Sequence, residues 1–204
     1  MLTQPQLAAL TAVFQRGSEE ASVAFSRWLD RRVSVTVEPL EQLTLAAAAE
    51  ELPDPERPIC CCAMGLTGRL SGQLLVVFDD ASGLALADLL LGRPLGASTQ
   101  WGEIERSAAQ ETANILGCAY LNSLARSFPD ADGEPDGLLP SPPKFVRDFA
   151  ESLLEFALMD QAMASDVVFL TRNQFRIEDE PVSCRLMLVP GAQCLAGLRK
   201  MLPS

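Results

Sequence analysis

The sequence predicts an α/β fold of the α+β kind, in which one β-sheet shared by two similar halves is covered by long helices. Three observations point there. Short β-branched or apolar runs are interspersed with much longer stretches of helical character. The same order of elements occurs twice, over about residues 1–95 and 96–204. Each half alone would leave a strongly apolar set of strands uncovered, so a common sheet with pseudo-twofold symmetry is the economical arrangement, and the chain reads as one domain.

In the first half, a helix is expected from Thr3 towards Asp30, with Pro5 tolerated in its opening turn. Val33 to Val37 is β-branched and alternates with period two, as a strand does. Residues 50–58, rich in Pro and acid, read as a loop. Ile59 to Leu66 and Leu70 to Phe78 read as strands of a hairpin turning near Thr67–Gly68. Asp80 to Leu91 follows as a helix, capped by Asp79 or Asp80 and closed by Gly92.

The second half repeats this order. Gln100 to Ser127 reads as a long helix, and residues 128–143 as a loop in which Leu138–Leu139 is the remnant of a strand. Phe145 to Met163 is expected to be helical. Phe145, Phe149, Leu153, Phe156 and Met159 would then form a core stripe, unless exposure of Phe149 or Phe156 marks a docking surface. Asp166 to Ile177 and Val182 to Val189 read as strands, and Gly191 to Leu202 as the last helix. Laid over each other without gaps, Ser71, Leu74 and Val77 meet Ser183, Leu186 and Val189, and Leu86 and Leu90 meet Leu198 and Leu202. With the repeated order of elements, these matches imply an internal duplication.

Bulk properties exclude several classes of function. A chain of 204 residues is long enough to bury about 70 % of the surface its unfolded form exposes. Apolar residues at 48 % and charged residues at 21 % describe an ordered globule. A net charge of −11 disfavours nucleic acid and anionic membrane surfaces, which both demand clustered Lys and Arg. No apolar run reaches the length of a membrane span, and Met1 to Pro5 does not open a signal peptide, so a cytoplasmic location is expected. Cys60, Cys61 and Cys62 alternate faces on a strand and cannot share one metal. With no histidine and no C-x2-C pair, the six cysteines are expected to be buried, reduced thiols.

The most informative segment runs from Ser107 to Tyr120. It sets Ser107, Glu111 and Asn114 at i, i+4 and i+7 of one helix, with no Gly or Pro before Gly117. That spacing forms a single polar stripe beside an apolar face. A carboxylate and a carboxamide one turn apart, in a chain without histidine, can position water and grip a cation without supplying a strong base.

The motif resembles that of the CheC/CheX/FliY family of chemotaxis phosphatases, Asp/Ser-x3-Glu-x2-Asn on a long helix with a proline further on. Ser107, Glu111 and Asn114 match it, and the proline is best assigned to Pro143, displaced by an acidic insertion at residues 130–137. Arg31 to Pro39 resembles the family's first strand, and the paired halves resemble CheC most. CheC commonly carries the Glu-x2-Asn pair in both halves. Here Ala12 stands where Glu111 does and Gln15 where Asn114 does, so the first site is degenerate and the second acts alone.

The resemblance implies a phosphatase for the aspartyl phosphate of a CheY-like response regulator. Asn114 would hold the attacking water, Glu111 would pair with the receiver's lysine, and Ser107 and Pro143 would serve docking. It implies no cofactor or metal of the protein's own, because the receiver carries Mg²⁺ to the reaction. Two rivals follow from the same resemblance. One is a non-catalytic module binding a receiver or a CheD-type deamidase. The other is a part of the flagellar switch, disfavoured because the chain starts almost directly in a helix and ends at Ser204.

Overall fold

The structure, a computed structural model, describes residues 1–52, 57–68, 71–127, 139–149, 152–153, 167–177, 180–191 and 194–202. Helix α1 (Gln4–Leu29) begins where Thr3 and Gln6 form a reciprocal capping box, with Pro5 in the first turn. Strands β1 (Val33–Val37) and β2 (Glu41–Thr44) and the short helix α2 (Leu45–Glu50) follow. The hairpin of β3 (Ile59–Thr67) and β4 (Gly72–Asp79) leads into α3 (Asp80–Leu90), whose N-cap is Asp79. The second half holds α4 (Glu103–Ser127), β5 (Leu139–Pro140), β6 (Lys144–Asp148), β7 (Val167–Ile177), β8 (Glu180–Pro190) and α5 (Cys194–Met201).

All eight strands join one sheet in the order β1-β7-β8-β4-β3-β5, with β2 also on β7 and β6 also on β3. The α+β expectation of a shared sheet covered by helices is met. Each half's hairpin is bordered by the other half's leading strands, so the order reads the same from either edge when the halves are exchanged. The hairpins meet along antiparallel β4 and β8, where Leu75 pairs directly with Met187, the residue laid over it in the gapless comparison.

Each strand of the hairpins feeds two cores. Cys60, Cys62 and Met64 point to the larger core beneath α1, α3 and α4, while Ile59, Cys61 and Ala63 point to a smaller one formed with Ala48 of α2 and Leu153. The consecutive cysteines therefore do divide between the two faces. The outer edge of β1 is closed by α1: the Ser26 hydroxyl accepts from the Val33 N–H at 3.0 Å and Ser22 from the Val35 N–H at 2.8 Å.

Two expectations need correction. Residues 144–148 are strand, not helix. Pro142 and Pro143 favour extended backbone in front of it, and β3 needs a partner on its open side, met by Cys62↔Phe145 and Cys60↔Arg147. The i, i+4 spacing of Phe145 and Phe149 imitates a helix; Phe145 instead packs against Trp101 with ring centroids 4.9 Å apart and the rings tilted by 46°, Leu153 is buried and Phe149 is 47 % exposed. Phe156, Met159 and the acidic segment 130–137 lie outside the described residues. The loop expected over 50–58 holds at residues 51–52 and 57–58, but Glu50 ends helix α2, and β2 and α2 are not foreseen in the sequence.

α1 and α4 lie side by side against the sheet. Their contact centres on Gly17, where an added Cβ would come within 2.5 Å of Tyr120 Cδ1 and 3.0 Å of Tyr120 Cα. Phe14 stacks on the same ring with centroids 5.0 Å apart, the Ser123 hydroxyl donates to the Val13 carbonyl at 2.9 Å, and the Tyr120 hydroxyl donates to buried Asn173 of β7. Because the backbone of α4 is part of the obstruction, Gly17→Ala should destabilise the fold by about 1–3 kcal/mol despite alanine's better helix propensity. Urea unfolding monitored by circular dichroism would check this.

Candidate functional site

The burial of α4 decides which way its polar stripe faces. Ala109, Ala113, Leu116 and Tyr120 are buried in the larger core. Ser107 and Glu111 are exposed, and Asn114 and Cys118 are half-buried on the outward side. Glu103 and Glu105 occupy the first turn, where carboxylates complement the helix dipole. Glu105 fixes the start further by accepting from Arg93 at 2.7 Å and from the Gly102 N–H at 3.1 Å.

The stripe forms one wall of an open groove of about 560 Å³. Ser107, Gln110, Glu111, Asn114 and Cys118 line it from α4, and residues 140–143 line it from the facing segment. Pro143 is thus placed opposite the acid and the amide, although a long stretch of sequence separates them. Its carbonyl accepts from Gln110 Nε2 at 2.7 Å, joining the two walls. Ser141 is secured to β3, its N–H donating to the Gly65 carbonyl at 2.8 Å and its hydroxyl accepting from the Gly65 N–H at 2.9 Å.

The following strand is fixed to the body of the fold by side chains facing the helices. The Arg106 guanidinium lies 5.7 Å over the Phe145 ring, and Arg147 donates to Asp80 from Nε at 3.0 Å and from Nη2 at 2.5 Å. Asp80 also accepts from Trp101 Nε1 at 2.8 Å. Arg147's hydrogen bonds, ahead of Trp101's, hold the Asp80 carboxyl down at about 2 despite its partial burial.

The chemistry available in the groove is restricted. Among the described residues the Glu111 carboxylate has no hydrogen-bond or ion-pair partner, so it is open to a cation from outside. The Cys118 thiol donates to Asn114 Oδ1 at 3.7 Å. Burial, and then the Glu111 carboxylate, push this thiol's pKa up and keep it protonated at neutral pH. Among the described residues the Ser107 hydroxyl has no hydrogen-bond partner, and the chain has no histidine. Among the described residues the groove therefore presents no activated nucleophile, while it can bind a cation and orient a polar group or water. Among the described residues no cluster of three or more His, Cys, Asp or Glu could hold a metal ion.

At the corresponding position on α1, Ala12 is half-buried and Gln15 exposed, and neither offers a carboxylate. Sequence reasoning missed Gln110 and the groove-facing place of Cys118. Cys118 lies i+4 from Asn114, a spacing that could have announced it, and it departs from the expectation of uniformly buried thiols: the other five cysteines are buried. Among the described residues no helix is long and apolar enough to cross a membrane.

No protein-family model matches the chain. Solved structures do. The fold resembles that of FliY from Thermotoga maritima with a TM-score of 0.76 at 18 % identity, covering 98 % of each chain. It resembles the FliM middle domain from H. pylori at 0.70 and 13 % identity, covering 98 % of this chain and all (100 %) of that one. FliM in the FliM–SpeE complex from H. pylori scores 0.72 at 12 % identity, with 98 % and 96 % covered. At these identities the likeness shows a common fold.

Two measurements follow from this geometry. With five thiols buried, a maleimide should modify native protein once, at Cys118, slowly at neutral pH and faster as pH rises. Removing the carboxylate in Glu111→Gln lowers the thiol's pKa, so labelling at fixed pH should accelerate; an unchanged or slower rate would contradict the arrangement. Because the folded-state pKa of Asp80 is depressed, its contribution to stability is present above pH ~4 and is lost as pH falls towards 2. Thermal melts of wild type and Asp80→Asn should therefore differ at pH 6 and converge near pH 2.

Proposed function

We propose that this chain is a phosphatase for the aspartyl phosphate of a CheY-like receiver domain, acting from the groove on α4. One observation carries the reading: a carboxylate without a partner among the described residues and a carboxamide open onto a proline-walled groove in which those residues present no activated nucleophile. Such a site suits a substrate that is already reactive. An acyl phosphate needs only a water aligned with the scissile P–O bond, together with neutralisation of charge on the phosphoryl oxygens.

In this reading Asn114 orients the water, its carboxamide oxygen accepting a water proton without adding charge beside the phosphoryl group. Glu111 pairs with the receiver's active-site lysine and sets the docking register. Ser107, one turn earlier, bonds the receiver's surface, and the 140–143 wall packs beside it. The water oxygen forms the new bond to phosphorus as the bond to the aspartyl oxygen breaks. Aspartate leaves as a carboxylate, and the water's proton passes to phosphate or solvent. Mg²⁺ arrives with the receiver and supplies charge neutralisation at the phosphoryl oxygens. The agreement of Ser107, Glu111, Asn114 and Pro143 with the CheC/CheX/FliY motif supports the same reading.

A second reading is a protein-binding module that does not hydrolyse. H. pylori FliM, which shares this fold, occurs in complexes with FliG and with SpeE. By that reading the chain would hold a phosphorylated receiver or a CheD-type deamidase, and phosphate would stay on a stoichiometrically bound receiver.

Incubation with a panel of phosphorylated receivers, timing phosphate release, separates the two. Asn114→Ala should reduce kcat by about 10²-fold with KM nearly unchanged, as expected for loss of a group that positions a reactant. Glu111→Ala should impair both turnover and receiver binding, whereas Gln15→Ala on α1 should match wild type. Full activity in Asn114→Ala would move the chemistry elsewhere.

A further inference from the structure

Both long helices are joined to the strand segments beside them by one side chain at a corresponding position. On α1, Thr11 Oγ1 accepts from the Leu40 N–H at 3.1 Å, and Leu40 immediately precedes β2. On α4, Gln110 Nε2 donates to the Pro143 carbonyl at 2.7 Å, and Pro143 immediately precedes β6. The overlay that sets Ala12 on Glu111 sets Thr11 on Gln110. The joint is the same, but its hydrogen bond runs in the opposite direction.

Proline accounts for the reversal. Pro143 has no N–H to give, so only its carbonyl can join the helix, and a carbonyl requires a donor. A threonine in the manner of Thr11 would not serve, because Thr11 already spends its proton on the Leu7 carbonyl at 2.9 Å. Glutamine has both the reach and the N–H. On α1 the joint lies next to Ala12; on α4 it lies next to Glu111, inside the groove.

We propose that Gln110 is a positioning residue. By holding the Pro143 carbonyl it sets the separation between α4 and the Ser141–Pro142–Pro143 wall, and so the seat into which a partner's phosphorylated surface fits. This rests on the phosphatase reading above. The wall touches the partner equally before and during reaction, so loosening it weakens docking and leaves the chemical step alone.

The test compares three substitutions of similar size. Gln110→Glu presents an acceptor to an acceptor, Gln110→Leu removes the donor without adding charge, and Gln110→Lys keeps a donor of comparable reach. Each is measured for thermal stability, for steady-state dephosphorylation of the best receiver in the panel, and for binding to that receiver activated with beryllofluoride. Loss of one hydrogen bond corresponds to about five- to ten-fold. KM and the dissociation constant should rise by that factor in Gln110→Glu and Gln110→Leu, with kcat kept, and Gln110→Lys should restore both constants to within about two-fold.

A fall in kcat that tracks a fall in melting temperature across the three would mark a merely structural role and overturn the proposal. So would unchanged constants in Gln110→Leu, or a Gln110→Lys as impaired as Gln110→Glu. If wild type neither binds nor dephosphorylates any receiver, the phosphatase reading itself fails, and that result is distinct from the others.

Discussion

The contact between α1 and α4 at Gly17 governs much of what the molecule can present. Tyr120 lies against the Gly17 backbone, is stacked by Phe14, and is hydrogen-bonded through its hydroxyl to Asn173 in the middle of β7. A large aromatic side chain held from three directions leaves α4 one rotation about its axis. With Tyr120 pointing inward, the helical period sends Ser107, Glu111, Asn114 and Cys118 outward together. The outward stripe is thus a consequence of core packing several residues away, and the acid and amide need no hydrogen bonds of their own to be aimed.

The opposite wall has a different origin. Prolines cannot extend a ladder on a donor position, so the run from Pro140 to Pro143 interrupts the pairing that β5 begins and β6 resumes on β3. The interruption leaves a stiff, shallow ledge whose conformational freedom is already small. Ser141 and Gln110 secure it on its two sides, and the Asp80–Arg147 pair holds the strand beyond it. A rigid helix and a rigid ledge make a groove whose shape is present before any partner arrives, and pre-formed sites lose less entropy on binding.

The periodic parts of the fold were readable. β-branched alternation identified Val33 to Val37, the capping residues identified both ends of α3, and the i, i+4, i+7 spacing placed the site residues on one face. Three features were not legible, each for a physical reason. The strand at 144–148 depends on a non-local partner, β3, so its local spacing was misleading. The short β2 and α2 lack a strong period of their own, and they form because β7 and the smaller core are there to receive them. The Gln110–Pro143 contact joins residues far apart in the chain, and nothing in either segment names the other.

One further property lies at the far side of the sheet. An open edge strand is a template for uncontrolled pairing between molecules, and many proteins blunt it with lysines or bulges. Here the outward amides of Val33 and Val35 are already engaged by the hydroxyls of Ser26 and Ser22, donated from a helix of the same chain. A second molecule approaching along β1 would find those donors occupied and a helix in the way. On that border, protection against fibrous self-association is supplied by two small alcohols, without any demand on surface charge.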